Sequence, residues 1–128
     1  MTDKFAAGIK IAGELMGEDV VKTIQASVGS TRFGAGLGAL AVDHVFNGVW
    51  ARPGLDRRAR SLVTIGILIA LRQIEEFKVH VLEAIRNGCT VKEIEEAIYH
   101  ATAYAGFPAG VQATAAATEV LRKEGLVE

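Results

Sequence analysis

Cysteine occurs once in the 128 residues, at Cys89, which excludes an intrachain disulfide, a Cys-x-x-Cys redox pair and any multi-cysteine zinc site. Proline is almost as scarce, at Pro53 and Pro108 only, so little in the chain forbids helix. No charge of one sign accumulates: 14 Lys and Arg face 15 Asp and Glu, and no basic run exceeds Arg57-Arg58. Neither nucleic acid nor an anionic membrane surface is therefore an expected partner. The longest apolar stretch, Leu62 to Leu71 with Thr64 inside it, falls well short of the roughly 18 residues that a membrane helix needs. The segment Met1-Thr2-Asp3-Lys4-Phe5 carries no basic region followed by an apolar run, and the expected location is cytoplasmic. Metal-ligand spacings are missing too: no His-x-x-x-His, no repeated Glu-x-x-His and no carboxylate cluster, so no metal is expected.

Apolar residues are what the chain has in abundance, at 50% with a further 14 glycines outside that count. One domain spanning residues 1–128 is expected, large enough to bury its own core without a staple. The apolar excess further suggests a homo-oligomer that covers the remainder in subunit contacts.

Helical spacing accounts for nearly every segment, and no strand pattern stands out. Helices are expected over about 3–16 and 18–28, then a third after the turn Gly29-Ser30-Thr31, lined by Phe33, Leu37, Leu40, Ala41, Val45 and Phe46. Residues 47–55, with Trp50 and Arg52-Pro53-Gly54, read as an ordered loop. Asp56 is placed to cap a helix whose apolar body, 62–71, should be buried on most faces. Phe77, Val81, Ala84 and Ile85 define an amphipathic helix closed by Gly88, and Thr90 with Glu93 forms a capping box for the next, which stops at Gly106. Pro108 opens the last, giving an all-α fold of six or seven helices.

Three histidines are the candidates for chemistry. Glu76 and His80 lie four apart on one helical face, where a carboxylate can orient an imidazole for proton transfer; the competing reading is a surface pair worth a few tenths of a kcal/mol. His80 lies three residues after Phe77 and four before Ala84, on the packed side, which favours the first reading. His100 and Tyr104 make a second four-spaced pair beside the stripe Ala97, Ala101, Ala105, where a histidine bonded at a helix contact is the competing reading. His44, between Val42 and Val45, reads as structural unless it shares a pocket with His80. Arg52 in its Pro-Gly turn, beside Trp50, suits recognition of a carboxylate, whereas Arg57 and Arg60 read as surface charges answering Glu75, Glu76 and Glu83. Cys89 reads as an inert turn residue.

Four motifs occur in order: Trp50-x-Arg52-Pro53-Gly54-Leu55-Asp56-Arg57-Arg58-x-Arg60-Ser61-Leu62, Glu76-x-x-x-His80, Asn87-Gly88-x-Thr90-x-x-Glu93-Ile94, and His100-x-x-x-Tyr104-Ala105-Gly106-x-Pro108-Ala109. Together they closely resemble the carboxymuconolactone decarboxylase family, from about Glu14 to Val120. The resemblance implies an alkylhydroperoxidase D-like helical subunit, assembled as a trimer or hexamer and working without a cofactor. The alkylhydroperoxidase D branch carries two cysteines where this chain has Gln73 and Glu76, so dithiol peroxide reduction is ruled out here.

What the resemblance implies is loss of carbon dioxide from 4-carboxymuconolactone to give the enol-lactone of the β-ketoadipate route of aromatic catabolism. In that scheme His80, held by Glu76, supplies the proton, Arg52 takes the substrate carboxylate with Trp50 as the wall beside it, and His100, Tyr104 and His44 are further candidates for the pocket. Two departures bear on the substrate. Asn47-Gly48 stands where a Trp-Gly pair is typical, and Arg72-Gln73-Ile74 replaces a Gly-Arg-Glu-like turn. Isomerisation or hydrolysis of another lactone, and a non-catalytic oligomeric role, are the competing expectations.

Overall fold

Asp56 ends an irregular stretch and starts a helix with its own side chain: Oδ1 accepts the backbone N–H of Ala59 at 2.8 Å. That cap marks the junction between two compact units, Met1–Leu55 and Asp56–Glu128, in the computed structural model, which describes residues 3–128. The reading made on Met1 and Thr2 lies outside the described residues. All described secondary structure is helical, in agreement with the all-α expectation, and no described helix is long and apolar enough to cross a membrane.

The first unit holds α1 (Asp3–Met16), α2 (Glu18–Ser27) and α3 (Leu37–Ala41), the last continuing into a π-helical stretch, Val42–Trp50. Phe5, Ala12 and Leu15 of α1, Ile24 of α2, and Val42, Phe46 and Trp50 of the π stretch bury one another in a common core. Here the expected third helix needs correction. The expected stripe follows an α-helical period, but the π turn is wider, as in the bond from Ala51 N–H to the Phe46 carbonyl five residues back. The packed side becomes Val42, Phe46 and Trp50, while Leu37, Leu40 and Val45 are exposed. Phe33 precedes the helix altogether and is fully exposed. The π stretch also takes up residues 47–50 of the expected loop. Gly8 permits close packing of α1 on this stretch, since a Cβ there would sit 2.6 Å from Val42 Cγ1.

The second unit is built from α4 (Arg57–Ala70), α5 (Ile74–Arg86), α6 (Val91–Ala105) and α7 (Phe107–Lys123). Its core joins Ile65 and Ile69 of α4, Phe77, Val81 and Ala84 of α5, Ile94 and Ile98 of α6, and the small-residue face of α7. The capping box of α6 is complete: Thr90 Oγ1 accepts from Glu93 N–H at 3.0 Å, and Glu93 Oε1 accepts from Thr90 N–H at 2.9 Å. Gly88, at φ 95°, and Gly106, at φ 100°, make the left-handed turns before α6 and α7. The turn into α5 departs from that pattern, because Arg72 occupies a left-handed position, φ 60°, that glycine fills most cheaply. Its guanidinium donates to Gln112 Oε1 of α7 at 3.0 Å, which anchors the turn.

The expectation that α4 is buried on most faces also needs correction. Ser61, Ile65 and Ile69 form its buried edge, but Val63, Ile67 and Leu71 stand 54%, 51% and 62% exposed. A helix apolar all round packs only as many faces as it has neighbours within reach, and α4 has α5 and α6 on its flanks and little of α7.

Two features generate predictions. At Gly110 an added Cβ would lie 2.1 Å from Thr102 Oγ1, which already donates to the Ile98 carbonyl at 2.7 Å, so α6 and α7 touch backbone to side chain. Gly110→Ala should lower stability by about 1–3 kcal/mol, the usual cost of overpacking, read from urea unfolding followed by circular dichroism. Cys89 is buried, with Sγ 3.5 Å from the Arg58 carbonyl, and burial pushes its thiol above the ordinary range despite the opposing charge of Arg58. The thiolate is the reactive form, so iodoacetamide at pH 7 should modify Cys89 far more slowly than a free thiol, and quickly only after unfolding.

Candidate active site

Helix α5 is fixed by three residues on one face, Phe77, Val81 and Ala84, all without solvent exposure. His80 follows from that placement. It projects beside this face, and its side chain keeps 16% exposure. Asn87, at the end of the helix, donates from Nδ2 to Oγ of the fully buried Ser61 at 2.9 Å, which ties α5 to α4. On its other flank Lys78 bonds Glu119 of α7 at 3.0 Å; the carboxylates of Glu119 and Glu75 hold that ammonium above its ordinary pKa, and Lys78 holds Glu119 below its own. The helix is thus tied to α4 at one end and to α7 on its other flank.

The carboxylate that reaches His80 is Glu83, three residues downstream, with its Oε2 2.5 Å from His80 Nδ1. Glu83 is 2% exposed. Both atoms are shut off from solvent, and neither completes a hydrogen bond with the other or with anything else among the described residues. Taking a carboxylate out of water costs several kcal/mol unless a partner answers it, and the imidazole is the group in place to do so. Glu76, expected to hold the ring, is exposed in the first turn of α5, where water and the helix N-terminus serve its charge.

Sequence reasoning missed Glu83 by grouping it with Glu75 and Glu76 as a surface carboxylate. Its position beside Ala84 and one residue short of a full turn after His80 was the available signal, since that flank of the helix adjoins the buried face.

His100 and Tyr104 come together as expected. Their rings lie 5.3 Å apart, inclined at 40°, on α6. Both are exposed and line a groove of about 830 Å³ between α4 and α6. Gly66 and Ala70 of α4 and Ala97, Ala101 and Ala105 of α6 give it an apolar floor, with Glu93 and Glu96 at one end. Glu93 is already engaged by Arg58. His80 does not contribute to this lining.

The remaining sequence candidates belong to the first unit. His44 is exposed on the π stretch, and Arg52 is exposed in the turn that follows it. Trp50, expected to wall a pocket, is instead a core residue packed in the cluster of Phe5, Leu15, Val42 and Phe46. Its bulk is better explained by that burial, because a large ring gains most where it leaves water completely.

With this geometry in place, comparison with known proteins is informative. Residues 36–119 match the carboxymuconolactone decarboxylase family. The chain is 33% identical over 123 residues to 4-carboxymuconolactone decarboxylase of Acinetobacter baylyi, covering 96% of this chain and 90% of that protein. It is also 38% identical over 109 residues to nitrosuccinic acid decarboxylase npaB of Metarhizium robertsii, covering 85% of this chain and 75% of that protein. The matched span takes in the capped helix α4, the His80 helix and the His100–Tyr104 pair, and the chain belongs to the carboxymuconolactone decarboxylase family.

Proposed function

We propose that this protein removes carbon dioxide from a small lactone carboxylate of the 4-carboxymuconolactone type, with His80 as proton donor. The observation that carries the reading is the imidazole of His80, one nitrogen closed off against Glu83 while the side chain as a whole keeps 16% exposure. Two relatives whose names describe decarboxylation of different acids support the reaction class.

The chemistry asks little of the protein beyond placement. In 4-carboxymuconolactone the bond between the ring carbon and its carboxylate breaks, carbon dioxide departs, and the electron pair spreads through the ring double bond onto the lactone carbonyl oxygen. The substrate brings its own electron sink, which is why the reading needs no cofactor. His80 then gives a proton to the ring carbon next to the lactone carbonyl, the double bond shifts to the carbon that lost the carboxylate, and the enol-lactone forms. Water returns a proton to the imidazole, with exposed Glu76 one turn upstream as the carboxylate that relays it, so each turnover consumes one proton. Nitrosuccinate obeys the same logic, its nitro group accepting the electron pair in place of the lactone carbonyl. A half-buried donor suits either acid, because excluded water strengthens the interaction of the ring with the developing anion.

The exposed α4 stripe Val63, Ile67, Leu71 supports assembly into the trimer or hexamer that the resemblance implies, since a monomer gains nothing by leaving it in water.

Three measurements test this reading. Incubation with 4-carboxymuconolactone and, separately, nitrosuccinate should release carbon dioxide from at least one; rearrangement without gas would point to a sister lactone enzyme, and silence with both acids would end the proposal. His80→Asn should lower kcat by roughly a hundredfold to ten-thousandfold, and Glu76→Gln by less, in the same assay. Ile67→Lys should shift sedimentation towards the monomer while leaving the helical circular dichroism signal intact.

A further inference from the structure

We propose that Glu83 is the positioning residue of this site: it holds the proton of His80 on Nδ1, so that Nε2 is the nitrogen that meets the substrate. The proposal deepens the reading of His80 as proton donor and rests on it for its kinetic consequence, but not for its structural one.

The argument begins from which parts of the ring are closed. Nδ1 is shut off from solvent and has Glu83 Oε2 2.5 Å away as its neighbour. The side chain as a whole still shows 16% exposure, which must come from its other atoms. Of the two ring nitrogens Nδ1 is thus the closed one, and the proposal gives contact with substrate to the other.

The second step concerns the proton between the two atoms. An ionised carboxylate has only lone pairs to offer, and a bare imidazole nitrogen has the same, so at 2.5 Å the two repel unless a proton lies between them. Carried by the ring, that proton sits on Nδ1 and faces Glu83 in both the neutral and the cationic imidazole, a close polar contact and not an aligned hydrogen bond. It then falls to Nε2 to lose its proton to substrate carbon and to regain one from water. Carried by Glu83 instead, it would make the neutral ring an Nε2–H tautomer unable to take a proton back there without first rearranging. Which nitrogen is protonated is set by the partner of the other nitrogen.

Glu83 also fixes the ring in space. Its own side chain is held in a helix face packed beside Ala84, which is fully buried, so it has little room to follow the imidazole if the ring turns. Rotation of the ring would separate the pair and leave a buried carboxylate unanswered, at a cost that Glu76, exposed to water, could never impose. That difference separates the two carboxylates: Glu83 orients, and Glu76 serves exchange with solvent.

The test uses the 15N-labelled full-length protein. Long-range 1H–15N spectra report which nitrogen of each imidazole bears a proton, and the His80 signals are those lost in His80→Asn. The expected result is a proton on Nδ1 across the whole pH titration, including the neutral ring. A neutral His80 carrying its proton on Nε2 would overturn the proposal, whatever the activity. Glu83→Gln, which keeps the volume and removes the charge, should lower kcat by roughly tenfold to a hundredfold with KM within about twofold; turnover at the parental rate would likewise overturn it. If Glu83→Gln does not fold, the parental spectra alone decide. If the parent releases no carbon dioxide from either acid, the proton-donor reading fails, and the Nδ1 proton still tests the role of Glu83.

Discussion

A carboxylate that has left water must be answered by a neighbour, and in this protein the answer to Glu83 is His80. Several contacts hold α5, the helix that carries the pair. Phe77, Val81 and Ala84 press α5 into the core. The Asn87–Ser61 bond holds its far end to α4, and Lys78 draws its other flank to Glu119 on α7. The proton transfer to carbon proposed above would use an imidazole held in this way.

The second unit shows a division of labour between its two sides. The α4–α6 side offers a wide groove floored by glycine and alanine, with His100 and Tyr104 at its rim. The α5 side is densely packed and holds the polar pair. Apolar excess that a small chain cannot hide appears on α4, whose outward residues repeat every four positions in an unbroken stripe. In the first unit the same economy takes another form: the wider π turn brings Val42, Phe46 and Trp50 to one side and commits the only tryptophan to the core.

Much of the fold was legible in local chemistry. Asp56, the Thr90–Glu93 box, Gly88, Gly106 and Pro108 act on backbone groups a few residues away, so their roles are fixed by neighbours in the chain and appear where spacing places them. The four-spaced His100 and Tyr104 met for the same reason, since a helix sets that distance by itself. What failed was of a different kind. The π stretch shifted its register because packing against α1, eased by Gly8, selected a turn that propensity does not specify. The carboxylate of His80 was misassigned because i−4 and i+3 are both within reach on a helix, and the choice between Glu76 and Glu83 depends on which of them lies under other helices.

The sequence by itself determined that the chain is helical, where most helices begin and end, and that an imidazole stands on the packed side of α5, because these follow from bonds and periods spanning four residues or fewer. Only the tertiary structure decided that Glu83 is buried, that Trp50 belongs to a core and that one apolar face of α4 stays open. Burial is a property of the elements that close over a residue, and a helix read alone does not say which of its sides they will cover.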